Sequence, residues 1–224
     1  MSGFRCLALE TGVRPSSVAA SNGDRHFETS VPVGASIAAV LYETIDEVLD
    51  QVGLSLEELD CIAFGRGPGA FTGLRVAAAA AQGLATGLGI RLCAVSSLAA
   101  LAQDACDRAP AGTWIAPALP AGRDQLYLGW YRIGESGLVS AEADDRLAPA
   151  AQSRLPGSGR FIAAGRVWSE NEALHASNAS RIQQLEGRAL PRAGAVLRLA
   201  QRDYAEGRIT APEQAQPLYL RRAV

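Results

Sequence analysis

The stretch AFGRGPGAFTGLR, Ala63 to Arg75, sets four glycines and a proline between a short apolar run and a long alanine-rich segment. Glycine is used where the backbone needs positive φ, or where another backbone or a ligand must approach without a Cβ in the way. Gly65, Gly67, Gly69 and Gly73 supply that freedom, and Pro68 fixes one φ near about −65°. Cys61-Ile62-Ala63-Phe64 reads as a buried strand and Leu74 to Leu88 as a helix, with Thr72 where an N-cap belongs. Strand, glycine loop and helix N-terminus together leave backbone N–H groups aimed outward with the positive end of the helix dipole behind them, which suits an anion. A second reading stays open: a tight turn that lets the helix dock closely on its sheet. A P-loop is excluded, because that motif needs Gly-Lys-Ser/Thr at the helix start and all 21 basic residues here are arginines.

The 224 residues suffice for one large domain or two small lobes, and 48% hydrophobic with 20% charged content fits a globular chain. The longest apolar stretch, Val76 to Leu88, is too short and alanine-rich to span a bilayer, and the N-terminus enters a strand pattern with no leader-like apolar core. A cytoplasmic protein without membrane association is expected. Cys6, Cys61, Cys93 and Cys106 lie far apart with no CxxC, which reads as free buried thiols, and His26 and His175 have no partner at ligand spacing. No metal site is expected. Residues 1–60 carry three arginines and ten acids, whereas residues 181–224 carry eight arginines and four acids. The basic end either meets RNA or an acidic partner or is ordinary solvated surface.

Along the chain, Phe4–Leu9, Ser17–Ala20 and Arg25–Ser30 read as strands, the last two joined by an Asn22-Gly23 hairpin turn. Ser36–Gln51 is an amphipathic helix, and Ser55-Leu56-Glu57-Glu58 a capping box before the strand Asp60–Phe64. A strand at Arg91–Val95 and a helix ending near Cys106 follow the alanine-rich helix. After the polar joint of residues 107–113 come strands at Trp114–Ala118, Gln125–Ile133 and Phe161–Ala164, with 140–160 read as loop. Ala193–Glu206 reads as a helix and the last residues as an extended tail. The order predicts an α/β fold of two lobes, each a mixed β-sheet flanked by helices: residues 1–106, with the helix of 192–207 available to complete them, and a smaller lobe of 107–224. This order is similar to the lobes of the actin-like ATPase and sugar-kinase superfamily, in which the turn after the first strand carries an acid and a glycine that approach phosphate or its metal; Glu10 and Gly12 hold those positions, with Thr11 between them.

The segments LALETG, LSLEELDCIAFGRGPGAFTGLRVAAAAAQGLATGLGI, AVSSLAALA, GRDQLYLGWY and PLYLR together resemble the bacterial TsaB family, also called YeaZ. The resemblance covers most of the chain and is densest from Leu54 to Ala102. It implies a catalytically silent relative of TsaD, a scaffold subunit supporting threonylcarbamoylation of adenosine 37 in tRNAs that read codons beginning with A. It further implies a TsaD-like catalytic partner, a TsaE-like ATPase, ATP or ADP at the partner interface, a homodimer when the chain is alone, and tRNA met only within the complex. Family members commonly carry Asp-Thr-Ser where this chain has Glu10-Thr11-Gly12, and an Asp-Ala-Arg-like turn where alignment on Arg123 and Tyr127 puts Pro120 and Ala121.

One carboxylate is thus lengthened and the other gone, which leaves no catalytic residue to name. The candidate nucleotide or anion contacts are Glu10, Thr11, Gly67, Gly69, Thr72 and Gly73. The small residues Gly73, Ala77, Ala81 and Ala85, four apart on one helix face, are the candidate partner interface. Two other classes compete. An actin-like small-molecule kinase or ATPase keeps Glu10 and the glycine loop for phosphate but lacks the second acid, and a peptidase lacks a visible nucleophile or zinc constellation. Arg221 and Arg222 in the basic tail are the candidates for auxiliary phosphate contact.

Overall fold

Short continuous apolar runs, Cys6–Leu9 and Val18–Ala20, open the chain, and the computed structural model, which describes residues 3–31, 35–106, 109–122 and 124–220, turns them into strands. Strands β1 (Cys6–Glu10) and β2 (Ser17–Ser21) are buried along their whole length, while β3 (His26–Ser30) is a partly exposed edge. Asn22 makes the β2–β3 turn, its Oδ1 accepting the N–H groups of Asp24 and Arg25 at 3.1 and 2.8 Å. Gly23 takes the φ of +95° that this turn requires.

Helix α1 (Ile37–Val52) buries Leu41, Ile45, Val48, Leu49 and Val52 on one face and stops at left-handed Gly53. In the 3₁₀ turn Leu56–Glu58 that follows, the Glu58 carboxylate accepts the Ser55 N–H at 2.8 Å. Strand β4 (Cys61–Gly67), helix α2 (Phe71–Leu88) and strand β5 (Arg91–Ser96) then form in sequence. The sheet order is β3-β2-β1-β4-β5, antiparallel on the β3–β2–β1 side and parallel from β1 through β4 to β5. Its alternating residues divide by face. Leu7, Leu9, Ile62 and Phe64 join α1 and α2 in one apolar cluster, while Cys93 Sγ reaches Ala200 O on the opposite face. Ala200 belongs to the late helix Ala193–Ala205, which lies against β1, β2, β4 and β5.

The chain divides into two compact units, Met1–Ser97 with Arg192–Leu218, and Leu98–Pro191 with Tyr219–Val224. The division falls at the start of α3 (Ser97–Asp104), upstream of the polar joint at 107–113. The reason lies in two side chains of that helix. Gln103 donates to Gly137 O at 3.1 Å and accepts from Val139 N–H at 2.9 Å, and Asp104 accepts from Leu190 N–H at 3.0 Å, so α3 is built into the second unit.

That unit contains β6 (Trp114–Gly122), β7 (Gln125–Leu128), β8 (Tyr131–Ile133), β9 (Val139–Ala141), β10 (Arg146–Pro149), β11 (Phe161–Ala164), the short helices α4 (Val167–Glu170) and α5 (Glu172–Asn178), and β12 (Ile182–Glu186). Its sheet runs β10-β7-β6-β11-β12, with β8 pairing both β6 and β9. Trp130, Phe161 and Trp168 fill its core, the Trp168 indole N–H donating to Ala116 O at 2.8 Å. The region read as loop at 140–160 holds β10 and the end of β9, strands too short to show a period of two. The late helix of the first unit is α6 (Ala193–Ala205). Among the described residues no helix is long and apolar enough to cross a membrane.

Candidate functional site

The β1–β2 turn and the glycine loop meet at one corner of the first unit. Parallel pairing sets Leu9 opposite Phe64, so Glu10 leaves β1 beside Gly65. The Glu10 side chain has no exposed surface. Its Oε1 accepts the Gly12 N–H and its Oε2 the Ser97 hydroxyl, both at 2.8 Å. Burial pushes its pKa up to about 7, and the bonds from Ser97 and Gly12 offset part of that rise. The carboxyl fits because Gly65 has no side chain: a Cβ there would overlap Glu10 Oε2.

The remaining glycines serve backbone-to-backbone contact. A Cβ on Gly73 would overlap Thr11 O, and one on Gly69 would stand 2.5 Å from Gly12 O. Thr11 Oγ1 donates to Gly73 O at 2.6 Å, and Ala70 N–H donates to Gly12 O at 2.7 Å. Gly67 takes a φ of +105°, with Leu74 and Leu218 O close to where its Cβ would be. The loop is therefore interlocked with the β1–β2 turn, the close-docking geometry that glycine permits.

Of the residues the sequence singles out for anion binding, Glu10, Thr11, Gly67, Gly69 and Gly73 come together at this corner, and Thr72 lies beside them, exposed in the first turn of α2. Two expectations are corrected. Thr72 does not cap α2: the helix begins at Phe71 with Ala70 in the cap position, because the Ala70 N–H is fixed on Gly12 O. The small-residue stripe is not a surface either. Ala77, Ala81 and Ala85 have no exposed area, because they are the residues on which α2 rests against its own sheet. The outward residues of α2 are instead Phe71, Thr72, Arg75, Ala79, Gly83, Thr86 and Gly87.

Two parts of the corner were not read from the sequence. Ser97, first residue of α3, supplies the hydroxyl that holds Glu10, and a serine at a helix start normally signals only a cap. The C-terminal segment straps the loop from outside. Leu218 N–H donates to Arg66 O at 2.7 Å, and the Gln82 side chain donates to Pro212 O and Ala215 O at 3.0 and 2.7 Å. One polar residue, Gln82, set within an alanine run was the available signal for that strap.

Elsewhere, Pro120 and Ala121 lie in β6, and among the described residues no three His, Cys, Asp or Glu side chains gather where a metal ion could be held. Cys6, Cys61, Cys93 and Cys106 are free and buried, and the hydrogen bond with Cys61, together with burial, raises the thiol pKa of Cys93. Arg181 is engaged by the carbonyls of Pro156, Gly157 and Gly159, and Arg202 and Arg208 by Asp203. Arg123, Arg221 and Arg222 lie outside the described residues.

Residues 32–183 match the family model described as TsaD: tRNA N6-adenosine threonylcarbamoyltransferase. The tRNA threonylcarbamoyladenosine biosynthesis protein TsaB of Escherichia coli is 31% identical over 99% of this chain and 96% of its own length. The TsaB protein of Haemophilus influenzae is 30% identical over 100% of this chain and 96% of its own. The solved structure of YeaZ from Pseudomonas aeruginosa superposes with a TM-score of 0.88 at 33% identity, covering 97% of this chain and 100% of that one. With likeness of this extent running through both the sequence and the actin-like ATPase-type fold, the chain belongs to the TsaB (YeaZ) family.

Proposed function

We propose that this chain is the accessory, non-catalytic subunit of a cytoplasmic assembly that forms N6-threonylcarbamoyladenosine at position 37 of tRNA, beside a TsaD-like catalytic subunit and a TsaE-like ATPase. The observation that carries the reading is the full-length likeness to proteins named for tRNA threonylcarbamoyladenosine biosynthesis. Residue chemistry supports it. Glu10 is the acid nearest the glycine loop, yet it is wholly buried, and Pro120 in β6 offers neither a carboxylate nor an N–H. Chemistry and its ATP or ADP belong in this reading to the partners.

The association surface is the outward face of α2. Ala79, Gly83, Thr86 and Gly87 are exposed, and a Cβ added at Gly83 or Gly87 would meet nothing within 4 Å, so another helix could come close. Phe71, 54% exposed, stands at its N-terminal end, and Tyr42 of α1 is 58% exposed. A TsaD-like subunit takes this face in the assembly, and a second copy takes it when the chain is alone. Any tRNA contact through Arg221 and Arg222 is auxiliary and made only within the complex.

Reconstitution tests the reading. The TsaD-like and TsaE-like proteins are combined with tRNA, ATP and an activated threonylcarbamoyl donor, with and without this chain, and the modified nucleoside is measured. Modified adenosine should form only when this chain is present and should never form with this chain alone. Equal rates with and without it, or no co-purification with the TsaD-like protein, would sink the reading.

A further inference from the structure

We propose that the junction of β1, β4 and the start of α3 is a carboxylate-binding seat which this chain fills with its own Glu10 side chain. The seat is built from one donor per oxygen, the Gly12 N–H for Oε1 and the Ser97 hydroxyl for Oε2, each at 2.8 Å. Its walls are glycine backbone. A Cβ on Gly65 would overlap Oε2, and one on Gly12 would stand 3.1 Å from Oε1. Two donors on a planar group in a space closed by glycines match a carboxylate; a tetrahedral phosphate would bring further oxygens with no room beside Gly65.

The arrangement also explains why an acid persists where water cannot reach. A carboxyl buried this deeply is costly unless hydrogen-bonded, and its raised pKa shows that the two bonds recover only part of the cost. What the side chain gains is position. It ties the end of β1 to Gly12 in the next turn and to Ser97 at the head of α3. The loop is therefore ordered by an internal carboxyl group and needs no external anion, and a phosphate entering this corner would first have to displace Glu10. This inference does not depend on the assembly proposed above.

The test empties the seat and offers it a free ligand. The full chain carrying Glu10→Ala is melted in sodium formate and in sodium chloride at equal ionic strength, beside the wild-type chain. The variant should melt lower than wild type in chloride and regain several degrees in formate with a saturable dose dependence, while wild type shows no difference between the two salts. Phosphate at the same ionic strength should give no such recovery. An identical formate response in both chains, a recovery with phosphate and not formate, or a variant that folds in neither salt would each overturn the proposal. A variant that folds only in formate supports it. An independent arm uses Gly65→Ala alone and with Glu10→Ala: the added methyl should lower Tm much more in the wild-type background than in the emptied seat, and equal losses in the two backgrounds would count against a seat shaped by Gly65.

Discussion

Glu10 and Ser97 are joined by a 2.8 Å hydrogen bond between two side chains that have no exposed surface. That bond reaches from the last residue of β1 to the first residue of α3, across 87 positions of sequence. Its energetics depend on the proton. A carboxyl at its usual pKa of 4.5 in the unfolded chain and about 7 in the folded one loses its proton first in the unfolded state as pH rises. Stability is therefore highest with respect to this group below pH 4.5, falls between 4.5 and 7, and above 7 carries a constant penalty of about 3 kcal/mol. Glu10→Gln keeps the shape and cannot ionise. Urea unfolding at pH 5 and pH 8 should show the variant gaining on wild type by a few kcal/mol at the higher pH, and a stability difference that is the same at both would refute the assignment.

Two glycines of α2 should respond to alanine with opposite signs. In an exposed helix interior, Gly→Ala is stabilising by about 1 kcal/mol. Gly83 has open space around its missing Cβ, so Gly83→Ala should realise that gain. Gly73 faces Thr11 O so closely that a Cβ must push the β1–β2 turn away from the helix. Overpacking of that kind costs about 1–3 kcal/mol or more, so Gly73→Ala should be destabilising despite the better propensity. Chemical denaturation of both variants decides, and a stabilised Gly73→Ala would mean that the turn and loop are not interlocked.

These contrasts show what the sequence could and could not convey. Periodicity marked α1, α2 and α6, because each buries one face, short continuous apolar runs marked the buried strands of the first sheet, and Asn22-Gly23 marked its turn. The glycine loop was legible as a close approach, and the residue types chosen there do converge. The partner of the approach was not legible, because the contacts of Gly73 with Thr11 and of Glu10 with Ser97 link positions far apart in sequence. The small-residue stripe misled for a related reason. Alanine at every fourth position is equally suited to packing on a sheet or on another helix, and only the fold shows that Ala77, Ala81 and Ala85 face inward. The short elements α4, α5 and β12 lay below the length at which a period can be read.

Gln82 predicts the behaviour of the C-terminal strap. Its amide is the side-chain donor to Pro212 O and Ala215 O, and Ala215 is buried against the first unit's core. Gln82→Leu keeps the helix and removes both bonds; Pro212 O keeps the Ala215 N–H at 3.2 Å, whereas Ala215 O loses its side-chain donor, at a cost of about 1–3 kcal/mol. Hydrogen exchange should then quicken in residues 210–218 and, through the Leu218–Arg66 bond, in the glycine loop, while α1 keeps its protection. Unchanged exchange throughout 210–218 would show that other contacts hold the strap.

Opposite faces of α2 set apart the expected effects of two arginine substitutions. Ala81 is completely buried, so Ala81→Arg forces a charge into an apolar layer and should unfold the first unit, since an unpaired buried charge costs several kcal/mol or more. Gly83 lies on the outward face, where an arginine meets no neighbour, so Gly83→Arg should melt within a few degrees of wild type. If the outward face is where a second helix packs, that same arginine holds the two backbones apart. Sedimentation should then find the Gly83→Arg chain monomeric at concentrations where wild type is dimeric, and its affinity for the TsaD-like subunit should fall by about a hundredfold, the equivalent of about 3 kcal/mol. A Gly83→Arg chain that still dimerises and still binds the partner at full affinity would move the interface off α2 altogether, to surfaces such as the exposed Tyr42 of α1 that this substitution does not touch.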